Sequence, residues 1–433
     1  MRCALAVVPW TVSSCRSDCP DSNDYARWVP STLPDGEPVP PTGELPAAAL
    51  ATVPTTPLGV YLHVPFCTTR CGYCDFNTYT ATELGDAPGA SRVGYPDAVI
   101  SELDLARRVL GAHAPAVSTV FVGGGTPTLL PPDDLGRMLT AIHDRFGLAV
   151  GAEVTTESNP ESIDEDGMRR LVDHGFTRIS FGMQSVSPQV LAVLDRVHTP
   201  GRPQQAVAEA RRAGFAQTSL DLIYGTPGES LDDWRASLEA AIAAEPDHVS
   251  AYSLIVEPGT RLATRIRRGE LPMTDDDDLA DKYELATEML SAAGYANYEI
   301  SNWSTDRDTQ CRHNLAYWHG DNWWGAGPGA HSHVGGVRWW NVKHPAAYAA
   351  RLDQEVSPAH AREILTADQQ RVERVLLELR LDTGLDPTVL TDRERARLPQ
   401  LQSRGLIATD HDQLVLTPAG RLLADGVVRD LLD

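Results

Sequence analysis

Cys67, Cys71 and Cys74 stand in Phe66-Cys67-Thr68-Thr69-Arg70-Cys71-Gly72-Tyr73-Cys74, just after the strand-like run Gly59-Val60-Tyr61-Leu62-His63-Val64. Thiolates four and three residues apart, on one short loop with a glycine inside it, are spaced to hold three corners of a 4Fe-4S cubane. Four cysteines close such a cluster and suit it to electron transfer, whereas three leave one iron open to bind and reduce a small molecule. Zinc is the rival, because His63 lies four residues before Cys67 and three cysteines with one histidine close a tetrahedral structural site. Against zinc, His63 follows Tyr61 by two places in a period-two strand, which points its side chain along the sheet rather than into the loop. A chance set of unliganded cysteines is the remaining reading.

The elements that must position this loop are legible in the alternation of short β-rich runs with longer helical ones. Strands are expected at 58–63, 117–122, 151–157, 177–182, 218–223 and 248–254, and helices at 95–111, 132–146, 163–174, 203–213 and 230–244, where apolar residues recur every three to four positions. Six strands each followed by a helix predict a parallel sheet curled into a barrel or most of one. In such a fold the strand C-terminal ends carry the site. The chemistry-bearing residues fall there: the cysteine loop, Gly123-Gly124-Gly125-Thr126-Pro127, Glu157-Ser158-Asn159-Pro160, Gln184 and Asp221. Taken singly, Glu157 and Asp221 read equally well as capping or salt-bridging residues, and Arg196 as a surface partner.

The bulk properties narrow the class. The 433 residues suffice for two or three domains, 42% are hydrophobic, and no run has the length of a membrane span. A formal charge of −22 repels phosphate backbones, so no nucleic-acid partner is expected. Seven cysteines, three of them clustered, suit a reducing cytoplasm rather than a disulfide framework. Near the start, Ala4-Leu5-Ala6-Val7-Val8 after Arg2, with Val12-Ser13-Ser14-Cys15, gives a weak export signal interrupted by Pro9-Trp10. Residues 1–28 are therefore expected to be an over-extended start, with Val29 as the alternative, and the whole of 1–57 a disordered or wrapping extension. The acidic run Asp275 to Asp278 reads as a solvated helix start rather than a metal site.

Tyr61-Leu62-His63-Val64-Pro65-Phe66-Cys67 through Cys74-Asp75-Phe76, together with Gly123-Gly124-Gly125-Thr126-Pro127-Thr128, resembles the radical S-adenosylmethionine (SAM) superfamily in its coproporphyrinogen-oxidase-like branch. Glu157-Ser158-Asn159-Pro160, Phe181-Gly182-Met183-Gln184-Ser185 and Leu220-Asp221-Leu222-Ile223-Tyr224-Gly225-Thr226-Pro227-Gly228 look like later motifs of that branch, and the likeness runs from about residue 58 to the C-terminus. The resemblance implies an α/β fold, a partial (β/α)6 barrel over 58–300, and a C-terminal α+β region over 301–433 that is haem-associated and includes a winged-helix-like unit. It implies that Cys67, Cys71 and Cys74 hold the cluster and that S-adenosylmethionine chelates the open iron, to be cleaved to methionine and a 5′-deoxyadenosyl radical. It further implies cofactor contacts from Tyr61, Tyr73, Gly124, Gly125, Thr126, Glu157, Gln184, Arg196 and Asp221, and from Ile255 through its backbone.

One departure separates two functions. Coproporphyrinogen III oxidases of this branch carry a fourth cysteine where this chain has Phe76, which argues against oxidative decarboxylation in porphyrin biosynthesis. The Cys74-Asp75-Phe76 form resembles the HemW-type haem chaperones, which implies haem as a further ligand, haem-acceptor proteins as partners, membrane-bound respiratory enzymes among them, and an electron donor. His313-Asn314-Leu315-Ala316-Tyr317-Trp318 resembles the motif associated with haem in that group, so His313 is the expected ligand. A packed, hydrogen-bonded histidine is the competing reading, with Cys311, His331 and His333 as other donors, and Trp323, Trp324, Trp339 and Trp340 as core. A DNA-binding regulator built on the C-terminal unit is the third class, disfavoured by charge.

Overall fold

The computed structural model describes residues 35–433 except 86–88, 90, 198 and 433; the expected mis-assigned start at 1–28 lies outside the described residues. Six parallel strands follow one another in chain order: β1 Leu58–Val64, β2 Val117–Gly124, β3 Leu148–Ser158, β4 Arg178–Gln184, β5 Gln217–Tyr224 and β6 His248–Ser253. All seven residues of β1 are buried, as befits a parallel strand covered on both faces. Its even-numbered residues Leu58, Val60, Leu62 and Val64 join the main core, while Tyr61 stacks on Phe121 on the inner face.

The crossover helices supply the other wall of that core. Tyr95–Leu110 buries Val99, Leu103, Ala106 and Leu110, a stripe spaced by three and four residues, and stops at Gly111, whose φ of 74° a side chain would strain. Burying a leucine such as Leu103 there contributes roughly 2 kcal/mol. Glu165–Asp173 starts on Asp164, whose carboxylate accepts from the Gly167 N–H, and Leu231–Ala243 starts on a capping box formed by Ser230 and Asp233.

The sheet does not close. Two short antiparallel strands, β7 Ala296–Asn297 and β8 Asn302–Ser304, line up beyond β6; on the opposite edge β9 Asn322–Ala326 runs parallel to β1, followed by antiparallel β10 His331–Val334, β11 Val337–Asn341 and β12 Ala359–Ile364. The result is a twelve-stranded sheet whose six-strand centre is the expected partial barrel. It crosses the boundary expected at 300/301, because Trp324 and Trp339 on β9 and β11 pack into the same core as the barrel helices. A separate core begins only in the helix Ala367–Glu378 and ends in Ala424–Leu432, and includes the hairpin β13 Ile407–Asp410 and β14 Gln413–Leu416. Those elements are the ones expected near the C-terminus, without fixing the unit as a winged helix.

Residues 35–57 wrap rather than trail. Glu37 exchanges backbone hydrogen bonds with Arg362 on β12, the Ser357 N–H donates to the Pro41 carbonyl, and Leu45, Ala49 and Val53 are buried in the main core. The acidic run opens the helix Asp276–Ala292, with Asp275 as its N-cap and Asp278 paired to the buried Lys282.

Candidate functional site

The loop that carries Cys67, Cys71 and Cys74 is held on both sides by backbone bonds. The Gly125 N–H donates to the Val64 carbonyl at 2.7 Å and the Thr126 N–H to the Phe66 carbonyl at 2.8 Å, which ties the loop's first half to the end of β2. A Cβ on Gly125 would lie 2.4 Å from the Phe66 carbonyl oxygen, and one on Gly124, at φ 109°, 2.6 Å from the His63 ring. These two glycines therefore serve the close approach of the cysteine loop itself. On the other side, the Gly72 N–H donates to the Leu194 carbonyl and the Leu262 N–H to the Gly72 carbonyl, and a Cβ on Gly72 would meet the Asp195 carboxylate at 2.4 Å.

Both ring nitrogens of His63 are taken up by other groups. Its Nδ1 lies 2.9 Å from the Tyr61 hydroxyl and its Nε2 2.9 Å from the Asn77 carbonyl, and burial pushes its pKa down to about 4. Zinc needs its donors converged about one point. No group of three or more His, Cys, Asp or Glu converges that way among the described residues. A cubane instead gives each thiolate its own iron corner, which three spaced thiols on a fixed loop fit.

Around this loop the structure gathers most of the expected contacts. The half-buried Arg196 guanidinium reaches Cys71 Sγ at 3.6 Å and the Gly182 carbonyl at 3.0 Å. Gln184 ends β4 in the left-handed region at φ 66°, and its Oε1 is buried without a hydrogen-bond partner. Thr226 Oγ1, in the loop after β5, is buried and unpartnered as well. Orphaned buried acceptors at the strand ends next to three thiols are what a polar ligand lying across those ends would satisfy. The residues present thus fit a cluster with a charged, hydrogen-bonding co-ligand.

Two carboxyls face this region. Asp221 accepts from the Ser180 hydroxyl at 2.9 Å and burial raises its pKa. Burial first, and then the Asp221 charge, push Glu157 up to about 8, although the Gly124 N–H donates to it at 3.0 Å. Glu157 is therefore neutral near pH 7 and ionises when a cation lies against it. Among the described residues, neither acid caps a helix or pairs with a Lys, Arg or His. Tyr73 and Ile255 line one cleft with Phe76, Ile223, Tyr252 and Glu257, beside Cys74.

Tyr61 lies lower, on the inner face, and His313 does not join the set at all. The helix Arg312–Trp318 plugs the opposite, N-terminal end of the barrel. Its first N–H groups, from Arg312 and His313, donate at 3.0 Å to Glu153 on β3. The His313 ring stacks on Phe121, with Nδ1 2.8 Å from Thr119 Oγ1 and Nε2 2.9 Å from the Tyr317 hydroxyl. Both nitrogens are engaged in this arrangement, with the ring packed among aromatic and hydroxyl side chains. Cys311 beside it is buried near Glu153, its thiol pushed up to about 12 by burial and that carboxylate, and so is no ready thiolate.

The sequence reading missed Glu153, Asp195 and Glu229. Glu229 directly follows the Gly225-Thr226-Pro227-Gly228 motif, accepts from the Gly225 N–H at 2.6 Å, and is held near 7 by burial. That adjacency was its available signal. Glu153 and Asp195 had none, since each acts on a partner distant in sequence.

Comparison with known proteins agrees with this geometry. The model of the radical SAM superfamily matches residues 61–241. The chain is 54% identical over 389 residues to "Heme chaperone HemW" of Mycobacterium tuberculosis, covering 90% of this chain and 98% of that one. It is 30% identical over 376 residues to the Bacillus subtilis protein of the same name, covering 85% and 97%. Among solved structures, the coproporphyrinogen III oxidase HemN from Escherichia coli superimposes with a TM-score of 0.75 over 88% of this chain and 92% of that one, at 23% identity, a likeness of fold. The chain belongs to the HemW family of the radical SAM superfamily.

Proposed function

We propose that this chain is a haem chaperone: it binds haem and delivers it to haem-dependent proteins, on a scaffold built for a 4Fe-4S cluster and S-adenosylmethionine. The observation that carries the reading is the near full-length identity of 54% with a protein named as a haem chaperone. Phe76 supports it against oxidative decarboxylation, since the position expected to hold a fourth cysteine instead lines the cleft beside Tyr73.

Cys67, Cys71 and Cys74 would hold the cluster, with Arg196 donating to the Cys71 sulfur. When bound, the cluster supplies an electron and one open coordination position. Tyr73 and Ile255 would hold the adenine, Gln184, Glu157 and Asp221 the polar end, and the Gly124-Gly125-Thr126 backbone the methionine end. The four described cysteines are free thiols, and no described helix is long and apolar enough to cross a membrane; we place the protein in the cytoplasm, receiving electrons from a separate donor. Its acceptors are haem-requiring proteins, membrane-bound respiratory enzymes among them.

Parallel assays test the reading on anaerobically reconstituted protein. Haem is titrated in one, and coproporphyrinogen III is supplied with S-adenosylmethionine and reductant in the other. Haem binding near one per chain without protoporphyrinogen is expected; steady protoporphyrinogen formation overturns it.

A further inference from the structure

Arg261-Leu262-Ala263-Thr264-Arg265-Ile266-Arg267-Arg268 holds four basic residues and no acidic one, in a chain whose formal charge is −22; no other stretch of eight residues in the sequence holds four. The helix Arg261–Arg267 is capped by Thr260, whose hydroxyl accepts from the Ala263 N–H, and it ends on Arg268. Leu262 and Ile266, four residues apart, turn into a small core with Leu194, Ile223 and Leu254, against which Tyr73 of the cysteine loop also packs. Arg261, Arg265 and Arg268, spaced by four and three, share another side of the helix.

This helix is seated on the cysteine loop. The Leu262 N–H donates to the Gly72 carbonyl at 2.8 Å, and the Arg265 guanidinium donates to the Val193 carbonyl at 3.2 Å. The arginines are thereby held in a fixed place beside the three thiols. The Arg261 and Arg268 side chains are 73% and 70% exposed. Arg267 is exposed too, donates to the Thr264 hydroxyl, and forms no ion pair among the described residues. The other three meet only Asp195 and Glu270, at 3.4 to 3.8 Å, in loose pairs that the carboxylates of a partner can replace. Ile255 and Met273, 50% and 65% exposed, add apolar surface on either side of the helix in sequence.

We propose that the helix Arg261–Arg267, with Arg268, is the docking surface for the electron donor, a small acidic protein that carries its electrons on a surface-exposed redox group. The inference rests on the cluster-bearing reading above. In the transfer the carrier's group is oxidised by one electron and the cluster is reduced by it, and no bond forms or breaks. Such a transfer needs the two groups close together, and this basic stretch is hydrogen-bonded to the very loop that carries the thiols. The net negative charge elsewhere repels an acidic partner, so the field of the whole chain orients the carrier onto this one face. An anionic membrane would meet the same arginines but has no need of the cysteine loop as a neighbour.

The test uses full-length, cluster-loaded protein under anaerobic conditions with reduced flavodoxin, a small acidic carrier, as the probe. Cluster reduction is followed by the bleaching of its absorption in stopped flow, and flavodoxin binding by calorimetry. Reversing two exposed charges, Arg267→Glu with Arg268→Glu, should slow reduction and weaken binding at least tenfold at low salt, and flatten the decline in rate that salt causes in the wild type. Photoreduced deazaflavin, a small reductant that needs no docking surface, should reduce both proteins alike, and equal iron and sulfide content shows that the variant folds. The same reversals at Arg211 and Arg212 should leave the flavodoxin rate within twofold of the wild type. An unchanged rate and affinity in the first variant, an equal loss in the second, or a wild-type cluster that deazaflavin reduces and flavodoxin does not, overturns the proposal alone. Vesicles of anionic phospholipid that bind the wild type and not the first variant, with flavodoxin reduction unaffected, overturn it in favour of a membrane contact. A chain that loads no iron and sulfide removes the cluster reading, and the proposal with it.

Discussion

At the scale of single residues, buried carboxyls set how this protein responds to pH. Glu102 is enclosed between the barrel and the strands beyond β9. Its carboxylate accepts from the Tyr348 hydroxyl at 2.5 Å, the Asn341 amide at 2.8 Å and the Gly327 N–H at 2.9 Å, yet burial outweighs them and raises its pKa from 4.5 to about 7. Between those values the unfolded chain releases a proton that the folded chain keeps, so stability is greatest below pH 4.5 and falls as pH rises to 7, by about 3 kcal/mol for this group. Glu102→Gln should make the fall shallower, seen as urea midpoints that differ less between pH 5 and pH 7.5 than in the wild type; an unaltered slope contradicts the assignment. Arg196 is the residue-scale anchor of the site: Arg196→Met should lower S-adenosylmethionine affinity about tenfold, by calorimetry, through loss of a charge-assisted hydrogen bond at the cluster. The identities of such residues were legible, because cysteine spacing and polar residues at strand ends carry local signals. Their partners were not: the engagement of His313 depends on Thr119, 194 positions away in sequence, and no local pattern encodes that contact.

At the scale of elements, two contacts decide whether the site forms. The cysteine loop is seated on the glycine turn after β2, and Gly125→Ala would drive a methyl into the Phe66 carbonyl. It should fold with reduced iron per chain after reconstitution, whereas full iron content would show that the loop tolerates displacement. The helix Arg312–Trp318 is the plug at the other end, fixed by Glu153 at its N-terminus and by the stacked His313. His313→Ala should cost about 3 kcal/mol by chemical denaturation, as for other large buried side chains. All six barrel strands and the five long crossover helices stand within three residues of where periodicity put them, because a parallel strand buried on both faces leaves a continuous apolar run. The strands beyond Asn322 escaped notice because their tryptophans and glycines break both the period-two and the helical pattern.

At the scale of the whole molecule, one sheet joins a cofactor scaffold to an aromatic, histidine-bearing extension, which is why the boundary drawn at residue 300 from sequence falls inside a continuous core. The fold is shared with an enzyme, HemN, so architecture alone does not separate catalysis from carriage. What separates them is Phe76 in the cleft and the family to which the sequence belongs. The acidic surface has a consequence of its own: mobility-shift assays with duplex DNA at moderate salt should show no complex, and a stable one would restore the regulator reading. Carriage also requires release. The most direct measurement is transfer: protein loaded with one haem per chain is mixed with an apo-haem protein, and both Soret bands are followed under anaerobic conditions. A haem chaperone predicts that haem leaves this chain and appears in the acceptor in equal amount. Haem that stays bound with every acceptor tried, or that never binds, contradicts the account.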